Sequence, residues 1–257
     1  ARSDLLHACS DADIVFLTGG LGGGTGTGSL PIIAKLAKER GALTIAIVTL
    51  PFGNEGARRS KNARIGLEKL RKSADTVIVI PNDRLLQEDI SQLPLNLAFR
   101  QADEILANAI QCMTEITSHG GLVNIDFADM RSIMDGGGVA MIGMGEGHGA
   151  TRASDAVLAA LTSPLLEIDI SASKGALVNV TGGNDMTLQE AHEVVREVHS
   201  KINKEARIIW GASIDSALEH QIRVMLVVTG VKSSQILGPP SGVDDELQSR
   251  YGIEFVE

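Results

Sequence analysis

Residues 19–29 read Gly-Gly-Leu-Gly-Gly-Gly-Thr-Gly-Thr-Gly-Ser, and this stretch decides the fold. Apolar residues at 14–17 come before it and an amphipathic run at 30–37 follows it, so the order strand, glycine loop, helix is predicted. Glycines let a ligand lie against the main chain, and the N-terminus of the following helix points free N–H groups at the loop. The stretch predicts a site for phosphate oxygens rather than a surface loop that binds nothing.

Two common phosphate-binding motifs do not fit this stretch. The dinucleotide fingerprint needs glycines at three fixed offsets, and the P-loop needs a Gly-Lys pair, which occurs nowhere in the chain. The sequence G-G-G-T-G-T-G-S at 22–29 instead resembles the nucleotide signature of the tubulin/FtsZ superfamily of GTP-binding, filament-forming proteins. The resemblance implies that the phosphates lie on Gly22, Gly23, Gly24, Thr25, Gly26, Thr27 and Gly28.

The composition limits the classes of partner. The chain has 23 basic and 32 acidic side chains, a net charge of −9, and only 3% aromatic residues. Nucleic acid is not expected as a partner, because phosphate contacts need a basic surface and base stacking needs aromatic rings. Cys9 and Cys112 lie far apart, and no apolar run is long enough to span a bilayer. We expect a cytoplasmic protein without direct membrane insertion, and we assign no residue as a metal ligand.

The first half of the chain alternates apolar runs with helical patterns. Strands are predicted at 14–18, 43–50 and 76–80, with helices at 29–40 and 57–72. Ser29 is the predicted N-cap of the first of these helices. Continuous apolar strands alternating with helices indicate an α/β fold with a parallel, Rossmann-like sheet. The loops that follow the strands should then meet at one edge of the sheet, where ligands bind in such folds.

The second half predicts a long helix and a smaller domain. Residues 95–117 have apolar positions on more than one side, as expected of a central helix between two domains. A smaller α/β domain with a mixed sheet follows, with strands at 139–143, 176–180, 207–212 and 223–229 and helices at 150–161 and 188–202. The predicted division is 1–94 for the remainder of the nucleotide-binding domain, 95–118 for the central helix, 119–138 for an Asp-bearing catalytic loop and short helix, 139–231 for the C-terminal domain and 232–257 for a tail.

The loop after the second predicted strand, residues 51–59, carries a carboxylate and two guanidinium groups. A carboxylate can accept from ribose hydroxyls, and Arg can pair with phosphate or stack on a base. The pattern P-F-x-x-E-G-x-x-R resembles the ribose-proximal loop of FtsZ, which implies that Glu55 contacts the ribose and Arg59 the nucleotide. Asn82, in the Pro-Asn-Asp after the third strand, matches the family's Asn that contacts the nucleoside.

Phe99 and Asp103 are four residues apart on the predicted long helix, and so they share one face. Without the resemblance, Phe99 is expected in the core and Asp103 in solvent. The family has F-x-x-x-D at this place, which implies that both residues contact the base. We then expect selectivity for guanine, because a carboxylate accepts from its N1–H and N2–H₂ but repels the N1 acceptor of adenine.

Asn124, Asp126 and Asp129 form the pattern N-x-D-x-x-D. If Asp126 opens a helix, both carboxylates share a face and can orient a water or hold a cation. Spacing alone leaves open an ordinary capping Asp with a solvated neighbour. The pattern matches the FtsZ loop that enters the nucleotide site of the next subunit, which implies that these three residues are catalytic and that the active site forms only at a filament contact.

Some features of the family are missing from the sequence. FtsZ proteins normally have a first strand with its own glycine turn before the strand predicted here at 14–18. The absence of this strand and its glycine turn predicts weaker GTP binding and an uncovered sheet edge. The end of the chain, residues 251–257, resembles archaeal members.

The resemblance predicts an FtsZ-like cell-division GTPase that polymerises head to tail into filaments of the cytokinetic ring at mid-cell. It implies hydrolysis of GTP to GDP at the subunit contact, with Mg²⁺ held through the nucleotide phosphates, and an adaptor protein that anchors the filament to the membrane. One alternative stays open: a non-catalytic filament or capping subunit that binds no nucleotide because the first phosphate loops are missing. A nicotinamide oxidoreductase is disfavoured, since the dinucleotide fingerprint is absent.

Overall fold

One sheet of seven strands organises the molecule in the part of the chain that the structure describes. The structure is a computed structural model, and it describes residues 2–85, 95–117, 122–166, 170 and 173–231. The strands are β1 (Ile14–Gly20), β2 (Leu43–Leu50), β3 (Thr76–Pro81), β4 (Gly138–His148), β5 (Gly175–Gly182), β6 (Arg207–Ile214) and β7 (Gln221–Thr229). Their order across the sheet is β1-β2-β3-β4-β7-β5-β6.

Six of the strands share one direction. The pairs β1–β2, β2–β3, β3–β4 and β5–β6 are parallel, and β7 is antiparallel to both of its neighbours. The pairing of β3 with β4 is short, from Thr76–Gly138 to Ile78–Ala140, and it joins the purely parallel half to the mixed half. The predicted α/β class, with a parallel sheet followed by a mixed one, is confirmed.

Helices cover both faces of this sheet. They are α1 (Arg2–Ala8), α2 (Thr25–Glu39), α3 (Ala57–Ser73), α4 (Asn82–Leu85), α5 (Leu95–Thr117), α6 (Phe127–Met134), α7 (Arg152–Leu161) and α8 (Leu188–Lys201). One core cluster contains apolar residues of α2, α3, α7 and α8, and the other contains those of α5 and α6. Each face of the sheet is therefore sealed by its own helices. None of the described helices is both long enough and apolar enough to cross a membrane.

The start of α2 corrects one prediction. Ser29 was expected as the N-cap, but the helix begins at Thr25 and its N-cap is Gly24. Ser29 lies inside the helix, where its hydroxyl donates to the carbonyl of Thr25 at 2.7 Å. The N–H of Gly28 already bonds to the carbonyl of Gly24 at 3.0 Å, so the helical ladder includes the last glycines of the loop. Glycine has a poor intrinsic helix propensity, which hid this first turn in the sequence.

The strand predicted at 139–143 is longer than expected and spans Gly138–His148. The glycines that broke its pattern allow α7 to lie directly on its backbone. A Cβ at Gly143 would lie 2.3 Å from the carbonyl oxygen of Ala160, and one at Gly147 would lie 2.0 Å from that of Arg152. Outside the described residues lie the predicted tail at 232–257, residue 118 of the predicted central helix and residues 119–121 of the predicted Asp-bearing segment.

Arg152 ties the first turns of α7 and α8 together. It is only 6% exposed. Its Nε donates to Glu190 at 2.6 Å, and its Nη1 donates to Asp185 at 2.6 Å. The hydrogen bond from this guanidinium lowers the pKa of Glu190 to about 2 and holds the pKa of Asp185 below its ordinary value.

We expect Arg152→Met to lower the free energy of unfolding at pH 7 by about 3 kcal/mol, because two carboxylates lose their buried cation. Arg223→Met is the matched control, since the Arg223–Glu146 pair is more exposed and should cost about 1 kcal/mol or less. A depressed carboxyl pKa stabilises the fold above the unfolded-state value and loses that effect as the pH falls towards the folded value. The difference between wild type and Arg152→Met should therefore shrink between pH 4.5 and about 2. Urea titrations that give equal losses for both variants at pH 7 would contradict this.

Candidate functional site

The loops after β1, β2 and β3 meet at one edge of the sheet. The strands are in register there, with Gly20 paired to Thr49 and Leu50 paired to Pro81. Direct contacts also join the loops: the N–H of Gly53 donates to Asp83 Oδ1 at 2.7 Å. The structure therefore brings the glycine loop, the loop at residues 51–59 and the Asn82 turn together, as the parallel sheet requires.

The glycine loop is held from within by close contacts. The N–H of Gly22 donates to Thr27 Oγ1 at 2.9 Å, so this hydroxyl closes the loop. Gly22 has a φ of +105°, and a Cβ there would lie 3.0 Å from the carbonyl oxygen of Arg59. A Cβ at Gly26 would lie 2.2 Å from the carbonyl oxygen of Gly20. Gly26 therefore lets the start of α2 rest on the end of β1, and Gly22 lets the loop lie against the backbone of Arg59.

Other glycines of the loop border open space. A Cβ at Gly23, Gly24 or Gly28 would meet nothing within 4 Å. Gly24 provides no side-chain cap for α2, so the N–H groups of the first turn keep their affinity for an anion. The positive end of the 15-residue helix dipole adds to this attraction. The arrangement fits phosphate oxygens.

Side-chain contacts within the loop at residues 51–59 fix the position of Glu55. Glu55 accepts from the N–H of Phe52 at 2.9 Å through one carboxylate oxygen and pairs with Arg59 through the other. The Glu55 side chain is 18% exposed and the Arg59 side chain is 58% exposed. The carboxylate is thus fixed beside the glycine loop, while much of the guanidinium stays accessible to a ligand.

Asn82 opens the four-residue helix α4 and is almost fully buried, at 8% exposure. Its Oδ1 atom has no hydrogen-bond partner among the described residues. A buried amide oxygen without a partner is rare and calls for an explanation, of which a ligand is one. Asp83 was not among the predicted site residues. Its bond to the Gly53 N–H crosses between two loops, so only the folded chain reveals it.

Phe99 and Asp103 both lie on α5, which contacts α4. Asp103 is exposed. The side chain of Phe99 is outside the described part of the structure. The assignment of both residues to the base therefore remains a prediction.

The three predicted catalytic residues lie on and just before α6. Asp126 is the N-cap and accepts from the N–H of Ala128 at 3.3 Å. Asp129 is in the first turn, and Asn124 is exposed in the preceding segment. The expected arrangement, in which Asp126 opens a helix with Asp129 three residues on, is present. Asp126 also performs the capping role that spacing alone left open.

The aspartates and the glycine loop lie at opposite edges of the sheet. Arg131 of α6 donates to the carbonyl of Gly41, just before β2, at 2.7 Å. The hydroxyl of Thr76, the first residue of β3, donates to the carbonyl of Met134, the last residue of α6. β2 has eight residues, so about 25 Å separates the edge near α6 from the edge of the glycine loop. No side chain reaches that far.

The described ranges contain no group of three or more His, Cys, Asp or Glu side chains arranged to hold a metal ion.

Two family matches cover most of the chain. Residues 2–89 match the GTPase domain of the tubulin/FtsZ family, and residues 138–232 match the C-terminal domain of the FtsZ family. The stretch between the two matches, residues 90–137, contains α5 and α6.

The chain is similar to archaeal cell division proteins along its whole length. It is 56% identical to cell division protein FtsZ 1 of Archaeoglobus fulgidus and 51% identical to cell division protein FtsZ of Haloferax mediterranei, covering 100% of this chain and 68% of each relative. It also matches a solved structure of an empty FtsZ dimer from M. jannaschii, with 51% identity and a TM-score of 0.86, over 89% of this chain and 66% of that one.

Gly26→Ala should lower the free energy of unfolding by about 2 kcal/mol, because its Cβ overlaps the carbonyl of Gly20 and the backbone must shift. Gly28→Ala is the matched control in the same helix. Its Cβ meets nothing, so the better helix former should raise stability by about 0.5 kcal/mol or more. Urea denaturation without nucleotide measures both. Equal effects of the two substitutions would contradict the close approach of α2 to β1.

Proposed function

The chain belongs to the FtsZ family, and on that premise we propose that it binds GTP, polymerises head to tail and hydrolyses GTP at the contact between subunits. One observation carries this proposal: the glycine loop and the Asp pair lie at opposite edges of one sheet. Two copies that stack in the same orientation would place the Asp edge of one against the glycine loop of the other. Such a contact repeats without closing, and so it builds a filament.

In this proposal the half-site at the glycine-loop edge of the sheet, here called the upper half-site, holds the nucleotide. The phosphates lie against the open glycines and the first turn of α2. Asn82 Oδ1, which has no partner in the described part of the chain, accepts from a nucleoside donor, and Glu55 accepts from the ribose. Asp103 selects guanine, with Phe99 on the base. The full set is Gly22, Gly23, Gly24, Thr25, Gly26, Thr27, Gly28, Glu55, Arg59, Asn82, Phe99 and Asp103.

The half-site formed by Asn124, Asp126 and Asp129, here called the lower half-site, supplies the catalytic groups. Asp126 and Asp129 of the neighbouring copy, with Asn124, orient the water that attacks the terminal phosphate and accept its proton. Mg²⁺, held through the nucleotide phosphates, neutralises developing charge when bound. Each carboxylate is placed by the N-terminus of α6, which favours negative charge. The products are GDP and phosphate.

The relatives are named cell division proteins, which supports a role in division for this chain. We propose that its filaments form the cytokinetic ring in the cytoplasm at mid-cell and that an adaptor protein connects them to the membrane. The alternative, a subunit that binds no nucleotide, is not favoured, since residues 2–89 match a GTPase domain.

Asp126→Ala and Asp129→Ala should each lower GTP turnover by about a hundredfold or more while GTP affinity changes less than about twofold, because the carboxylates serve the pocket of another copy. Asp135→Ala is the matched control: Asp135 ends the same helix and is exposed, and its loss should leave turnover unchanged. Steady-state phosphate release and equilibrium binding measure the two quantities. A parallel loss of affinity and turnover would place the carboxylates in the pocket of their own chain.

A further inference from the structure

Arg207 is the first residue of β6, and its guanidinium contacts a predicted catalytic side chain. Its Nη2 lies 3.5 Å from Asp129 Oδ1. The Arg207 side chain is 60% exposed and that of Asp129 is 51% exposed. Exposed ion pairs of this kind contribute little to stability, so the stability of the fold does not explain the contact.

β6 also holds the segment that carries Asn124. Val123 and Ala212 exchange two backbone hydrogen bonds of 3.1 Å. A Cβ at Gly211 would lie 3.1 Å from the carbonyl oxygen of Val123, so the segment rests directly on the strand. The segment is thus fixed near the end of β6, and Asp129 is met by Arg207 at the strand's beginning. One strand supports both ends of the lower half-site.

Arg131, a cation on α6 itself, is engaged in other contacts. Arg131 donates to the carbonyl of Gly41 at 2.7 Å, and its guanidinium lies over the ring of Phe127 at 5.3 Å from the centroid. Asp126 and Asp129 are two carboxylates within one helical turn, and they repel each other. Arg207 is therefore the described cation placed to offset this repulsion and to fix the rotamer of Asp129.

We propose that Arg207 is a positioning residue for catalysis in the neighbouring copy. Its guanidinium holds one oxygen of Asp129 and leaves the second oxygen of the half-exposed carboxylate for the water at the partner's nucleotide. This inference rests on the proposed function, in which Asp129 acts across a subunit contact. Arg207 itself touches neither GTP nor the water.

The test compares Arg207→Gln, Arg207→Lys and the control Arg223→Gln in the full-length protein. Arg223 lies on β7 and donates to Glu146 of β4 at 2.8 Å, in an ion pair that does not involve Asp129. At a protein concentration where all variants pellet equally with GTP, Arg207→Gln should lower kcat about tenfold and change KM for GTP less than about twofold. Arg207→Lys should recover at least about half of the lost activity, since it restores the charge. Arg223→Gln should match wild type.

A double-mutant cycle separates positioning from an independent effect. Added to Asp129→Asn, Arg207→Gln should cost less than about a further twofold, because Arg207 acts through Asp129. A full tenfold further loss, or an Arg207→Gln variant as active as Arg223→Gln, would overturn the proposal. A loss of about a thousandfold or more in Arg207→Gln alone would place the guanidinium on the phosphates and also overturn it. Failure of the proposed function can be told apart from failure of the Arg207 proposal. In the first case the wild-type protein itself would show no turnover that depends on protein concentration.

Discussion

The parallel direction of six strands is the constraint on which the rest of this structure depends. Because β1, β2 and β3 run the same way, their following loops converge at one edge, and the segments that precede them lie at the other. The glycine loop, Glu55 and Asn82 are therefore neighbours without being close in sequence. For the same reason α6, which packs against the starts of β2 and β3, holds its aspartates at the far edge. In the proposed function these two edges are complementary half-sites, which a single copy cannot bring together.

Glycines also allow helices to approach the backbone of strands closely at two places. Helix α2 begins against the end of β1, and α7 lies on β4, in both cases where glycine leaves no Cβ to collide. The two contacts have different consequences. The α2 contact aims a helix N-terminus and open loop space at the place where a phosphate fits, whereas the α7 contact only packs the core. The number of glycines therefore does not distinguish a candidate ligand site from a packing contact. The open space beside Gly23, Gly24 and Gly28 is what distinguishes the loop after β1 from the contact between α7 and β4.

The sequence predicted the regular parts of the fold well. β2 and α5 have the predicted bounds, because a continuous β-branched run and a long apolar periodicity each have one favourable structure. The start of α2 and the length of β4 were missed, since glycines there serve contacts made by residues distant in sequence. For the candidate site, motif spacing predicted residue types that the fold places in loops at the carboxyl ends of β1, β2 and β3 and at the start of α6. The burial of Asn82 Oδ1 without a partner among the described residues, the Asp83–Gly53 bond and the Arg207–Asp129 pair depend on tertiary contacts, which single-sequence patterns do not contain.

The dependence of GTP turnover on protein concentration tests the shared site most directly. The full-length protein is assayed at fixed saturating GTP across a dilution series, with light scattering recorded on the same samples. If catalysis needs the Asp edge of a second copy, turnover per molecule rises with concentration above a threshold that coincides with the onset of scattering. If turnover per molecule stays constant down to concentrations where scattering shows monomers alone, each chain completes its own site and the division between the two sheet edges has no catalytic meaning.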